Sequence, residues 1–190
     1  MHLCAAAAAL LLTGFGPPCT PPAAVELLTA AQGQEEDAWC WAAAGALVMN
    51  FLHKDSDVQQ CDEVDRQYGA ATRHCCADKA ACSSFRGNPR YSDYKFSSQS
   101  QKTLTWDEIR ARVGCLHKPV PFVWTKPGNA KHMMVITGYM TDDQGVRHVQ
   151  INDPMPVGKG QLYYVTYEEY NPTYGKYALT DNDDVTYVGK

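Results

Sequence analysis

The chain has 190 residues, 45% of them hydrophobic, 20% charged and 11% aromatic, with a formal net charge of −4. That length and composition suit one globular domain with a full hydrophobic core. The mild negative charge, with no lysine or arginine run, excludes nucleic acid as an expected partner.

The N-terminus differs in kind from the rest. "MHLCAAAAALLLTGFGPPCTPPAA" carries an apolar stretch from Leu3 to Leu12, then Gly and Pro, then small residues around Ala23 and Ala24. This is the length of a secretory hydrophobic region and too short for a membrane-spanning helix. Residues 1–24 are therefore expected to be a secretion signal, with only His2 available for positive charge, and 25–190 a single domain. Cys19 is a candidate lipidation site, although Pro17 and Pro18 before it fit a lipoprotein signal poorly. No later segment is long and apolar enough to cross a membrane, so no stable membrane insertion is expected, and the location is secreted, extracellular or periplasmic.

Eight cysteines point the same way. Cys4 and Cys19 are expected to leave with the leader, and Cys40, Cys61, Cys75, Cys76, Cys82 and Cys115 to remain. Four of these form C-x13-C-C-x5-C, a density typical of disulfides in an oxidising compartment. Spacing leaves the connectivity open, except that adjacent Cys75 and Cys76 do not suit each other. If Cys40 is free, the other five make two bridges and leave one thiol over. Zinc is the competing explanation, but the C-x2-C pairs of ribbon-type sites are absent.

The first strong element is a helix starting near Asp37 or Ala38, with Asp37 as cap and Glu35 and Glu36 where negative charge favours a helix start. Trp41, Ala44, Gly45, Val48, Phe51 and Leu52 recur at helical spacing, and the alanines between them leave almost no polar side. A second helix fits "SDVQQCDEVDRQYG", capped by Ser56 or Asp57 and stopped by Gly69. From Ala70 to Lys102 the chain is polar and cysteine-studded, and "SSFRGNPRYSDYKFSSQSQK" reads as irregular. A third helix starts at Thr105, whose capping box with Glu108 is complete in sequence, and stops at Gly114. The second half changes period: "PVPFVW", "HMMVITGYM", "VRHVQIND" and "QLYYVTYEEY" are β-branched and aromatic runs split by Pro, Gly and Asp. Helices first and strands later imply an α+β domain, a helical half against an antiparallel sheet, with a cleft between them.

Cys40 then sits in the first helical turn, where unpaired backbone N–H groups stabilise a thiolate. By position alone a packed structural cysteine is the ordinary reading. Gln34, six residues upstream, can curl back and, with the Cys40 backbone N–H, form an oxyanion hole. Gln32 is the rival, two residues further away. His132 opens a strong strand, the next strand ends in "INDPMP", and "TDDQG" between them is a hairpin turn. A two-residue loop pairs Asp153 with either His132 or Met134, and in both cases the pleat puts His132 and Asp153 on one face. A three-residue loop brings Asn152 there instead. Either side chain would orient the imidazole. His53, His74, His117 and His148 read as surface or satisfied histidines. Trp124 reads as a core residue or as a wall of the cleft, and Trp39 and Trp41 as packing.

"Q-x5-C-W-A-A", from Gln34 to Ala43, with "HMMVITGY" and "INDPMP", resembles the papain-like cysteine peptidases, closest to the bacterial staphopain-like and plant-pathogen effector group. The likeness runs from about Gln32 to Tyr170. It implies a papain-like α+β fold and thiolate attack on a peptide carbonyl through an acyl-enzyme. Carried over, Cys40 is the nucleophile, His132 the general base and acid, Asp153 the orienting residue and Gln34 the oxyanion donor. The implied partner is a protein or peptide substrate, and no metal or other cofactor is implied. Lys131 stands where many members have Gly, and Asp153 where Asn is common, which bears on the pH optimum. Two alternatives stay open: an amidase, deamidase or transglutaminase-like enzyme using the same triad, and a disulfide-rich binding module in which Cys40 is bridged.

Overall fold

A run of nine buried residues, Trp41 to Met49, makes α1 (Cys40–Leu52) a core helix rather than a surface one. The computed structural model describes residues 19–27, 30–69, 74–101, 103–126, 128–171 and 178–189; the stretch expected to be the leader lies outside them up to residue 18. Helices α2 (Gln60–Tyr68), α3 (His74–Ala77), α4 (Trp106–Arg110) and α5 (Tyr167–Tyr170) accompany strands β1 (Ala24–Glu26), β2 (Phe96–Gln101), β3 (Val120–Thr125), β4 (Lys131–Thr141), β5 (Arg147–Asp153), β6 (Gln161–Thr166) and β7 (Ala178–Tyr187). The strands form one antiparallel sheet ordered β2-β7-β3-β4-β5-β6, with β1 added along the outer half of β4. Helices on one side and an antiparallel sheet on the other make this an α+β domain.

Strand β4 separates two cores. Its Met133 and Val135 pack with α1, α2 and the Cys75–Cys82 region, whereas Met134 and Ile136 pack with Ile109, Phe122, Ile151 and Tyr170. A strand buried on both faces explains why "HMMVITGYM" reads as continuous apolar sequence.

The ends of α1 and α2 differ from expectation in informative ways. Helix α1 starts at Cys40, with Trp39 as cap and no side-chain cap bond. The expected start near Asp37 is displaced because the Gln34 side chain binds the carbonyls of Glu36 and Asp37 and holds that turn outside the helix. Helix α2 starts later than Ser56 because Lys54–Ser56 forms its own 3-10 turn and Asp57 is left-handed (φ 43°). Gly69 ends α2 in the left-handed region, as its position predicts. The capping box on α4 has both halves: Glu108 N–H donates to Thr105 Oγ1, and Thr105 N–H to Glu108 Oε2. Beyond it Ala111–Cys115 adopts a π-helical turn, so Gly114 lies inside the element, against Tyr139 where a Cβ would collide. "VTYEEY" is a strand end followed by a short helix with a second capping box, Thr166 with Glu169.

Strands β2 and β7 escaped the sequence pattern. Strand β7 reads "ALTDNDDVTY", rich in the residues that strands disfavour. It lies between β2 and β3, where three successive polar residues find partners: Asn182 accepts from Tyr170 OH, Asp183 from Ser100 OH, and Asp184 meets Arg112 and Lys118.

Among the described residues the disulfides are Cys19–Cys115, Cys61–Cys76 and Cys75–Cys82, and Cys40 is the free cysteine. Cys19, expected to leave with the leader, instead ties the segment before β1 to the end of the α4 region. Arg110 donates to Pro21 O and Tyr139 OH to Pro22 O along the same segment. The leftover thiol of the five-cysteine count thus has its partner. A lipid thioether at Cys19 is excluded by the same sulfur's disulfide bond. The alternative in which Cys40 is bridged is likewise overturned.

Candidate active site

Cys40 opens α1 at the seam between helices and sheet. The first turn leaves backbone N–H groups without an intrahelical acceptor, and the N–H of Trp41 is one that meets the Cys40 sulfur. A second donor comes across the seam, the Met133 N–H of β4. The third is the ring of His132, hydrogen-bonded to the same thiol.

His132 is 8% exposed and Asp153 6%. His132 Nε2 lies 2.7 Å from Asp153 Oδ1. With Nε2 so engaged, Nδ1 is the nitrogen that serves Cys40. Asp153 also accepts from Met155 N–H at 2.9 Å, Tyr163 OH at 3.2 Å and Gln161 Nε2 at 3.5 Å. Tyr163 and Gln161 were not anticipated. They come from β6, whose Gln161 pairs directly with Asp153, and the alternation of "QLYYVT" against "INDP" was the signal for them.

The registry that joins His132 to Asp153 is not one of the simple hairpins. Thr141 pairs with Arg147, closing a five-residue loop. Continued inward, that register would put Asn152 on the His132 face. A bulge at Thr137, between Ile136 and Gly138, shifts the pairing by one residue to Ile136 with Ile151 and Val135 with Asn152. The shift turns Asp153 onto the His132 face and Asn152 away. Asn152 instead holds the incoming segment, accepting from Gln32 N–H and donating to Ala30 O.

Electrostatics follow from these contacts. Burial pushes the Cys40 thiol up, but the hydrogen bond from His132, the Met133 N–H and the imidazolium charge outweigh it and hold the thiol below its usual range. Burial pushes His132 down, yet its bonds to Asp153 and Cys40 lift it to about 9. Asp153 is pushed up by burial and held down by His132 and the Met155 N–H, so it stays ionised. The arrangement can keep a thiolate and an imidazolium side by side at neutral pH. Lys131, flagged by its position, is exposed beside this pair.

Gln34 is 1% exposed and lines the cleft with Cys40. Its backbone is fixed by Gln34 N–H to Pro154 O and Gly158 N–H to Gln34 O. Its Nε2 donates to Glu36 O at 2.8 Å and Asp37 O at 2.6 Å, leaving Oε1 buried without a partner. Two carbonyls at one end dictate that orientation, because the opposite one would face oxygen with oxygen. Gln32, the rival, lies instead on Asn152.

The cleft has a volume of about 390 Å³. Gln34, Asp37, Ala38, Cys40, Trp41 and the 86–88 loop form one wall, and Val123, the β3–β4 turn and Met155 form the other. Trp41 is thus both packing and cleft lining. Trp124 pairs with His132 across β3 and β4 but lies in the second core beside Phe122, not on the cleft. The one cluster among the described residues with metal-ligand geometry, Cys61, Asp62 and Cys76, has its two sulfurs joined in a disulfide.

Residues 27–180 match the model of the Peptidase_C39 like family. No curated protein sequence gives a significant match. Among solved structures, a recombinant stem bromelain precursor superposes with a TM-score of 0.57 at 11% identity, covering 88% of this chain and 71% of that one. The bromelain protease from Ananas comosus gives 0.53 at 12% identity, covering 87% of this chain and 99% of the other. A structure on the mite allergens Blo t 1 and Der p 1 gives 0.55 at 15% identity, covering 93% of this chain and 73% of the other. At such identities these likenesses establish the papain-like fold.

Proposed function

The chain belongs to the Peptidase_C39 like family, and on that premise we propose that it is a secreted cysteine peptidase that hydrolyses peptide bonds through Cys40, His132 and Asp153. The observation that carries the reading is the free Cys40 thiol, hydrogen-bonded to an imidazole whose far nitrogen lies 2.7 Å from a buried carboxylate. The narrower kinship with the staphopain-like and effector group rests on the W-C-W-A-A sequence around Cys40.

In this mechanism the Cys40 thiolate attacks the carbonyl carbon of the scissile bond, and the carbonyl oxygen takes the negative charge. The Cys40 N–H at the start of α1 faces that charge. Gln34 completes the oxyanion site by turning Nε2 from one of its two carbonyls, since a charged oxygen is the stronger acceptor. His132 gives its proton to the departing amine, leaving a thioester on Cys40. His132 then takes a proton from water, whose oxygen attacks the thioester, and the acid leaves as thiolate and imidazolium are restored. Asp153 holds the ring so that Nδ1 faces the sulfur through both steps.

Three disulfides support an exported location, and no helix among the described residues is long and apolar enough to cross a membrane. On this reading a leader ends upstream of Cys19 rather than at Ala24, which the Cys19–Cys115 bond supports. The experiment is hydrolysis of a peptide library together with labelling by a thiol-directed epoxide. Wild-type protein should cleave and be labelled at Cys40, and Cys40→Ala should do neither. Cleavage or labelling retained in Cys40→Ala would overturn the nucleophile. Release of ammonia or cross-linking without cleavage would move the reaction to amide transfer.

A further inference from the structure

Resting on the peptidase reading, we propose that the cleft selects acidic polypeptide segments, with Asp or Glu flanking the bond that is cut. Arg86 is exposed on the helical wall, and Lys126 and Lys131 are exposed on the opposite wall, where β3 ends and β4 begins. Asp37 is the one carboxylate among the residues that line the cleft. This runs against the chain as a whole, which has 21 acidic residues to 17 lysines and arginines. Elsewhere Lys79, Arg90, Arg110, Arg112, Lys118 and Arg147 each pair with a carboxylate and Arg66 lies over the Tyr94 ring, while Lys54, Lys95 and Lys159, unpaired among the described residues, lie outside the cleft. Arg86, Lys126 and Lys131 have no such pair among the described residues.

An extended chain lying between the walls meets positive charge on both sides of Cys40. Arg86 offers a planar fork that suits a carboxylate, and the two lysines offer point charges. Trp41, Val123 and Met155 supply apolar surface in the same cleft, so acidic residues interspersed with apolar ones fit best. A basic segment would meet three like charges, and repulsion discriminates as effectively as attraction.

The test uses peptides that differ only at the residues flanking the scissile bond: Glu, Gln or Lys. Each exposed pair changes affinity roughly 1.5- to 5-fold, so kcat/KM should favour the Glu over the Gln peptide by on the order of tenfold. The gap should narrow as salt rises, because the charges lie in solvent and the Debye length falls to ~3 Å at 1 M. The triple variant Arg86→Glu, Lys126→Glu, Lys131→Glu should reverse the order in favour of Lys peptides, and Arg86→Glu alone should reduce the preference. Binding of the same peptides to Cys40→Ala protein, read by fluorescence anisotropy, should follow the same ranking. Equal rates and affinities for the three peptides, or a ranking that charge reversal leaves unmoved, would overturn the proposal. A charge-ranked affinity without cleavage by wild type would instead leave the cleft's selection of acidic segments standing and remove the peptidase reading.

Discussion

His132 keeps its proton because Asp153 cannot lose its charge cheaply. That carboxylate accepts from Met155 N–H and Tyr163 OH as well as from the imidazole, and each donor favours the ionised form. The proton that the proposed mechanism has His132 hand to a leaving amine is therefore present up to about pH 9. The alkaline limb of kcat/KM should fall near that pH, while alkylation of Cys40 by iodoacetamide should proceed below the usual thiol range. Asp153→Asn should move the alkaline limb to lower pH, because the imidazolium loses its charged partner. A limb unmoved by that substitution would show that Asp153 does not set the His132 charge. The same shift bears on stability. With a folded value above the unfolded ~6.5, protonated His132 stabilises the fold fully below that pH, and the contribution is lost as pH rises through about 9.

At the scale of elements, the start of α1 is held from outside the helix. Ala38 N–H donates to Ser83 O, Trp39 Nε1 to Cys82 O at 2.9 Å and Trp41 Nε1 to Phe85 O at 3.4 Å. The Cys75–Cys82 disulfide closes a loop and anchors Cys82, which presents one of these carbonyls and is followed directly by Ser83, which presents another. Cross-linking so short a loop is worth about 2.5 kcal/mol in the chain-entropy model. The double variant Cys75→Ser, Cys82→Ser should lower stability by roughly that amount in urea. It should also slow labelling of Cys40 at temperatures where the protein is still folded, because the helix start loses its anchor. Unchanged labelling would assign the loop a purely structural role. The Thr137 bulge works at the same scale: one extra residue in β4 decides whether a carboxylate or an amide stands beside His132.

For the whole molecule, Cys19–Cys115 closes the longest loop, with a sequence separation of 96. The chain-entropy model gives about 4–5 kcal/mol for a loop of ~100 residues, a large part of the ~5–15 kcal/mol that stabilises a domain. Cys19→Ser with Cys115→Ser should lower the thermal midpoint markedly. Intact mass of the mature wild-type protein, without reduction, should include Cys19 and three disulfides; a mature chain beginning at Val25 would refute the bridge.

Much of this design was legible from spacing alone. The core helix was visible in its all-round apolar sequence, the Thr105 cap in its Glu108 partner, Cys40 in its place at a helix start and His132 in its place at a strand mouth. These are local patterns, and local patterns survive in sequence because they arise from neighbours a few residues apart. Strand β7 was hidden because Asn182, Asp183 and Asp184 are satisfied by partners on other elements, and Cys19 because disulfide partners leave no local trace. The side of the hairpin that bears Asp153 was equally hidden, since a bulge changes parity without changing the residues on either strand. Sequence by itself determined which groups were available for chemistry: a thiol at a helix start, an imidazole at a strand mouth, a carboxylate or an amide at the next strand's end. Tertiary structure alone decided which met which, because long-range pairing, register and cross-linking depend on contacts between segments that the order of residues does not set.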